Sequence, residues 1–527
     1  MTKETVKQPR SKFYNKASLL LSRGAPHEVL YDLVDEFEIT QEEIKTYLDR
    51  RPKSKAVSDA VVAGKEEKKL LYTTLDVKFI EEYKNIVIFQ QGDNADFYEY
   101  KDGVYSRVGK TDMYNKMDSF FVMYSLFEIR ESKKKVEDTI TRVRALLSRT
   151  EGRYFTREIL EQQKYYLNLK NGLLDINTLE LIPHTPKYFS TTQVPYEYDP
   201  KAEAPEFLSF IQTVSNQTES TGEMIQEMFG YCLGNGNPKH KVFYLYGDTA
   251  RNGKSTAAKI LCGLVGWGNV STLSLQQISG ETSSMLTAIV DKKINFSDEI
   301  SSKFVQSSRL TAMSAEGVVQ INPKYEPTYF HKIQTNFIIT CNDLPLFHDA
   351  QGMKHRMISI PFRYQIPPKE RKDRYDEVLL EKEGSGILNW ALRGMQRLKE
   401  NKNFTTNKES EEDMLENTYQ SDPTYAFLEL LYDFSPEYTE AYSSRDLYGE
   451  EEQRERDTTI PATGFCRFYR EHGIRKVSLF SFQKELSRFS SETKKITRKK
   501  IQGYWHYSGL RLKEETVSED DIKNIPF

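Results

Sequence analysis

Val242-Phe243-Tyr244-Leu245-Tyr246-Gly247-Asp248-Thr249-Ala250-Arg251-Asn252-Gly253-Lys254-Ser255-Thr256 is the stretch whose reading sets the fold. Its first five residues are apolar or aromatic and read as a strand buried on both faces, and the Ala257–Leu264 run beyond the loop favours helix. Strand, glycine-containing loop ending in Lys-Ser, then helix is the context that a phosphate-binding loop requires. The N–H groups of the loop and of the helix N-terminus offer positive partial charge to phosphate. Lys254 would neutralise the β and γ oxygens of ATP, and Ser255 would ligate Mg²⁺. The expected nucleotide contacts are therefore Asn252, Gly253, Lys254, Ser255 and Thr256. Five residues rather than four separate Gly247 from Gly253, a departure from the usual spacing that leaves the Asn252–Thr256 core intact. Taken alone, the loop also reads as a chance Gly/Lys surface turn, so the decision falls to the residues downstream.

Lys292-Lys293-Ile294-Asn295-Phe296-Ser297-Asp298-Glu299 reads as a strand ending in two carboxylates. Asp298 would orient Mg²⁺ and its waters, and Glu299 would polarise the attacking water as general base. A second strand, Asn336–Cys341, ends in Asn342, whose amide can hold a water beside the γ-phosphate without adding charge; a plain turn before Asp343 is the other reading. Arg356 heads a third strand, Met357–Phe362. A guanidinium against a γ-phosphate stabilises the charge of the transition state, although an isolated arginine also reads as a surface ion-pair partner.

The chain has 527 residues, enough for three or four cores, and a net charge of −3, which removes bulk electrostatics as an argument for nucleic-acid binding. Cys232, Cys262, Cys341 and Cys466 are far apart and form no CxxC pair, so neither a zinc knuckle nor a disulfide framework is indicated. No run approaches the roughly 20 apolar residues of a membrane span. With charges scattered through Met1–Ser22, the expectation is a soluble cytoplasmic protein with no membrane partner.

Composition divides the chain into a charged helical segment (1–75) and a mixed α+β or helical domain (76–215). A motor domain (216–400), an acidic linker and helix (401–434) and a basic C-terminal domain (435–527) follow. In the first segment Thr40 and Glu43 form a capping-box pattern, and Arg50–Lys55 reads as a basic linker. Phe97–Tyr105 is strand-like, Val136–Leu147 and Gly386–Leu398 are helical, and Glu409–Glu416 reads as linker. Residues 463–513 carry thirteen Lys/Arg against three Glu, with a peak at Lys494, Lys495, Arg498, Lys499 and Lys500. Helices over Gly464–Glu471 and Ser481–Phe489, then that peak and the aromatic Tyr504–Tyr507 strand, suit a winged helix whose basic residues, on the recognition helix or the wing, touch DNA; a solvated charged face is the plainer reading.

Asn252–Thr256, Asp298-Glu299, Thr340–Pro345 and Gly352–Phe362, in this order and spacing, resemble superfamily 3 helicases of the AAA+ class, and more closely the phage, plasmid and poxvirus primase-helicase family. Tyr166–Thr178 with His184–Pro186 resembles the block before the motor in those proteins, and Ile387–Leu392 the helix after it. The resemblance implies a multidomain α/β chain: an AAA+ P-loop ATPase core between an N-terminal α+β region and a C-terminal winged-helix-like domain. It further implies a homohexameric ring that moves 3' to 5' on single-stranded DNA, with ATP and Mg²⁺ as cofactors. Arg356 would then act across the subunit interface. A hairpin over Val319–Pro327 would enter the central channel, which makes Lys324 and Tyr325 the DNA-contacting tip; an ordinary solvated turn is the alternative. Relatives often carry a primase domain, but the first 160 residues show no zinc-ligand cluster and no Asp-x-Asp pair, so a separate primase is the expected partner. The rivals are an AAA+ initiator or loader that melts an origin without processive unwinding, and an ATP-dependent structural motor or protein-binding switch.

Overall fold

The structure is a computed structural model that describes residues 13, 16–17, 27–34, 37, 39–50, 65–91, 94–124, 133–280, 283–298, 304–324, 328–347, 350–449, 464–466, 468, 477–501 and 504–513. Most of the Arg50–Lys55 linker, Glu299, Tyr325 and part of Gly464–Glu471 lie outside them. The chain forms two compact units, Met1–Gln193 and Val194–Phe527.

In the first unit, Thr40 caps the Gln41–Arg50 helix as expected: Glu43 N donates to Thr40 Oγ1, and Thr40 N donates to Glu43 Oε2. A four-stranded sheet has the order Val104–Arg107, Asn94–Lys101, Ile86–Gln91, Tyr154–Phe155. Phe97–Tyr105 is therefore not one strand but parts of two. Asp102 and Gly103, both at positive φ, make the two-residue hairpin between them, and these residue types favour that turn. Helices Lys110–Met123 and Lys133–Leu147 cover one face of the sheet through Met113, Met117, Phe120, Val136 and Val143 against Ile86, Ile88 and Phe97. Val87, Tyr98, Tyr105, Phe155 and Phe189 fill the other. A second, antiparallel sheet follows over Tyr166–Leu169, Gly172–Asp175 and Leu181–Ile182.

The second unit is built on five parallel strands: β1 (Val242–Tyr246), β2 (Val270–Ser271), β3 (Ile294–Ser297), β4 (Asn336–Cys341) and β5 (Met357–Pro361), in the order β5-β1-β4-β3-β2. Every residue of these strands is buried, as parallel strands covered on both faces require. The two polar residues of β3 have partners: the Asn295 side chain donates to Leu273 O at 2.9 Å and accepts from Leu273 N at 3.0 Å, which extends the pairing past the short β2, and Ser297 Oγ donates to Leu273 O at 2.6 Å.

Helices α1 (Pro205–Val214), α2 (Glu219–Leu233), α3 (Lys254–Val265) and α4 (Tyr375–Asn401) pack on the sheet and on one another. α2 and α4 meet closely because both carry glycine at the contact: a Cβ on Gly394 would lie 2.2 Å from Gln226 O, and one on Gly230 would lie 2.5 Å from Ala391 O. Glu227, fully buried in α2, accepts from Arg397 Nε at 2.9 Å and from Thr405 N at 2.7 Å.

The Glu409–Glu416 stretch is not a linker. It lies within α5 (Lys408–Ser421), whose N-cap Asn407 accepts from Ser410 N and whose Ser410 Oγ donates to Ser359 O of β5 at 2.6 Å. Its acidic side has a partner too, since Glu409 and Asp413 both meet Arg363, at 2.8 and 2.7 Å.

α6 (Pro423–Leu431) leads to the C-terminal part, where β6 (Ala441–Ser443), β7 (Thr497–Ile501) and β8 (Tyr504–Ser508) form an antiparallel sheet in the order β6-β8-β7, with α7 (Leu479–Thr493) between β6 and β7 in sequence. Phe427, Leu431, Phe465, Phe468, Phe482, Leu486 and Tyr507 share its core. Among the described residues, no helix is long and apolar enough to cross a membrane.

Candidate nucleotide and nucleic-acid sites

The C-terminal ends of β1, β3 and β4 deliver their loops to one place, which is where open parallel sheets bind ligands. From β1 comes the Gly247–Gly253 loop. Gly247 has no room for a side chain: a Cβ would lie 2.2 Å from Phe362 O. That gives Gly247 a role the spacing left unexplained, namely close passage of the loop against the end of β5. Asn252, buried, donates from Nδ2 to Phe362 O at 2.8 Å and fixes the loop to the same point. Gly253 caps α3 in the left-handed region at φ 89°, and a Cβ there would lie 2.5 Å from Val214 Cγ1 of α1.

Lys254 opens α3 and is buried, with Nζ donating to Gly247 O at 2.6 Å and reaching Asn342 Oδ1 at 3.4 Å. Asn342 at the tip of β4 and Lys254 at the start of α3 thus meet. Burial pushes the neighbouring Cys341 thiol up to about 12, which keeps it neutral beside the ammonium. Ser255 Oγ donates to Asp298 Oδ1 at 3.2 Å, and Thr340 Oγ1 donates to the same oxygen at 2.6 Å. Thr340 was not singled out from sequence; its only signal is its place two residues before Asn342, on the same face of β4.

An anion fits this loop by its donor set: the N-terminal N–H groups of α3, the Lys254 ammonium and the Thr249 hydroxyl, which is buried without a hydrogen-bond partner among the described residues. The adjoining Ser255 hydroxyl and Asp298 carboxylate are hard oxygen ligands of the kind Mg²⁺ takes. Thr256 is half-buried one residue further along α3.

Arg356 does not join this cluster. Its carbonyl accepts from Val242 N at the start of β1, so it stands at the opposite end of the sheet, about 13 Å along the strand from the loop. Its Nη1 donates to Gly352 O at 2.5 Å, and its Nε is buried without a hydrogen-bond partner among the described residues. Besides Arg251 within the loop, Arg363, just beyond β5, lies near it. It lies 3.7 Å from Asp248, holds Glu409 and Asp413 of α5, and stacks over the Tyr246 ring at 5.2 Å. Sequence could not reveal it, because its partners come from two segments far from it in the chain, Tyr246 and Asp248 on one side and Glu409 and Asp413 on the other.

Val318–Ile321 and Tyr329–Lys332 pair as an antiparallel hairpin ahead of β4, which puts Lys324 in the turn between them. Val318 and Phe330 on one face of it are 62 % and 69 % exposed, while Ile321 and His331 on the other face are buried. Lys494 and Lys495 follow α7, exposed, while Arg498, Lys499 and Lys500 lie on β7, which is exposed at every position. The basic peak therefore sits on a hairpin and the turn before it rather than on a helix.

The fold and these sites define a multidomain α/β chain with mixed sheets and a parallel central sheet. Residues 78–216 match the family model described as D5 N terminal like, and residues 245–356 match a family of unknown function, DUF5906. The first is a domain found in phage and plasmid primase-helicase proteins. No curated protein matches the sequence. Similar solved structures include the A form apo structure of the NrS-1 C terminal region, 12 % identical over 81 % of this chain and 97 % of that one, with a TM-score of 0.44. Another is the apo structure of NrS-1 C terminal region (305-718), 11 % identical over 82 % and 98 %, with a TM-score of 0.40.

Proposed function

We propose that the chain is an ATP-hydrolysing DNA helicase of the AAA+ class, working as a homohexameric ring in the replication of a phage, plasmid or genomic island. The observation that carries this reading is the meeting of Lys254, Ser255, Asp298 and Asn342 at the ends of β1, β3 and β4. The separation of Asp298 from the loop strand by β4 supports it, because β4 then brings an uncharged amide between the lysine and the carboxylate.

In this account the α3 N-terminus and Lys254 hold the triphosphate and neutralise charge as it develops on the transferred phosphoryl group. Ser255 and Asp298 would hold Mg²⁺, which supplies charge neutralisation between the phosphates when bound. Asn342 positions the attacking water, and Glu299 accepts its proton. Arg356, which stands away from its own subunit's Lys254, would act on a neighbouring subunit's nucleotide. Lys324 and Tyr325 grip one DNA strand in the channel through phosphate charge and base stacking, without reading sequence. A separate primase would work beside it.

The test is phosphate release from ATP by the full chain with and without oligo(dT). Hydrolysis that depends on Mg²⁺ and rises with the oligonucleotide supports the proposal. Hydrolysis indifferent to DNA points instead to a protein-binding switch.

A further inference from the structure

β7 and β8 form a hairpin with two aromatic rings near its turn. Register places Lys500 opposite Trp505 and Ile501 opposite Tyr504, the last pair before that turn. Opposed residues of an antiparallel pair share a face, so Arg498, Lys500 and Trp505 lie on one side and Lys499, Ile501 and Tyr504 on the other. Tyr507, on the Trp505 side, is fully buried and bonded through its hydroxyl to Ser487 of α7. The core therefore ends before Trp505, which is 41 % exposed, as Tyr504 is at 49 %.

A guanidinium sits over each ring: Arg498 over Trp505 at 4.9 Å and Arg445 over Tyr504 at 4.8 Å. Exposed aromatic rings cost solvation and gain nothing from a core they do not enter. Rings held in place by guanidinium groups, on a hairpin whose other exposed side chains are mostly cationic, offer stacking surface and phosphate charge within a few ångströms of each other. This pairing suits unstacked bases better than a closed duplex, whose base faces are already covered.

We propose that Trp505 on one face of the hairpin end, beside Arg498 and Lys500, and Tyr504 on the other, beside Lys499, each offer a base-stacking platform for single-stranded DNA, with those basic side chains as phosphate contacts. The platform rests on the reading of the chain as a DNA motor, and it deepens that reading by giving the C-terminal hairpin an unpaired strand to hold rather than a groove to read.

The test uses the full chain without nucleotide, fluorescein-labelled oligo(dT) and a blunt duplex of equal length, at two salt concentrations. Trp505→Ala and Tyr504→Ala should each weaken oligo(dT) binding by about tenfold while leaving the salt slope unchanged, and Trp505→Phe should restore most of it. Lys499→Ala should instead reduce the salt slope by roughly 0.7. Oligo(dT) should quench tryptophan emission in the wild type, and that quench should be lost in Trp505→Phe.

Wild-type binding by both aromatic variants, or tighter binding to the blunt duplex than to oligo(dT), overturns the proposal. If Lys499→Ala weakens binding while the aromatic variants do not, the hairpin holds DNA through phosphates alone; the platform falls and the motor reading stands. If DNA-stimulated ATP hydrolysis is itself absent, the motor reading has failed, and the two failures are thereby told apart.

Discussion

Ser255 Oγ donates to Asp298 Oδ1 at 3.2 Å, a contact that joins the start of α3 to the end of β3 across 43 residues of sequence. Thr340 fixes the same oxygen from β4 at 2.6 Å, so the carboxylate is aimed before any ligand arrives. Asp298→Asn keeps the shape and removes the charge. It should lower ATP turnover by about a hundredfold or more and raise the Mg²⁺ concentration needed for half-maximal rate. Thr340→Val should change the same quantities in the same direction by less. Phosphate release across a Mg²⁺ titration measures both, and an unchanged Mg²⁺ dependence in Asp298→Asn contradicts the assignment.

Gly253→Ala meets two obstacles at once. The left-handed backbone costs an alanine about 1 to 2 kcal/mol, and its Cβ would lie 2.5 Å from Val214 Cγ1. The variant should lose both stability and nucleotide affinity. Adding Val214→Ala removes the clash but not the backbone cost, so the double variant should recover only part of the loss in a thermal melt. Full recovery would mean that the left-handed cap is not required.

Glu227 is fully buried and holds Arg397 and Thr405, tying α2 to α4 and the segment that follows. Glu227→Ala leaves the Thr405 N–H without its acceptor and Arg397 with only Gln226 and Glu223. Its expected cost is about 1 to 3 kcal/mol, read as a shift in the denaturant midpoint with unchanged slope. A cost under about 1 kcal/mol would place the pair among ordinary surface bridges.

Lys293 is enclosed beneath the end of α2, where Nζ donates to Leu233 O and Gly234 O at 3.1 Å and to Asn235 Oδ1 at 3.0 Å. Burial lowers its pKa from 10.5 to about 8. Between those values the unfolded chain binds the proton and the folded chain releases it, so this group's contribution to stability rises with pH through that window and is least favourable below it. Lys293→Met lacks the effect. The stability difference between wild type and variant should therefore move in favour of the wild type from pH 8 to 10. A difference independent of pH would show that Lys293 does not titrate there.

Four strands of the central sheet were legible because apolar residues recur through them, whereas the two-residue β2 carried no such signal; Asp298 and Asn342 drew notice because each follows one of those strands, and Lys254 and Ser255 because a glycine-containing loop joins another to a helix. α5 was misread for the opposite reason. Its buried side consists of Ser410, Thr418, Tyr419 and Ser421, so no apolar repeat marks it as a helix. The hairpin at Asp102-Gly103 carried its own turn signal, hidden inside an alternating stretch that read as one strand. Arg363, Glu227 and Lys293 could not be found at all, since a charged side chain reads as surface until the fold brings its partners from elsewhere in the chain.

The central claim is tested most directly by fork unwinding with the wild type and with Lys254→Ala, on substrates bearing only a 3' or only a 5' single-stranded tail. The account predicts ATP-dependent strand separation that needs the 3' tail and disappears in Lys254→Ala. DNA-stimulated ATP hydrolysis without strand separation on either substrate would contradict it and favour an origin-melting initiator or loader.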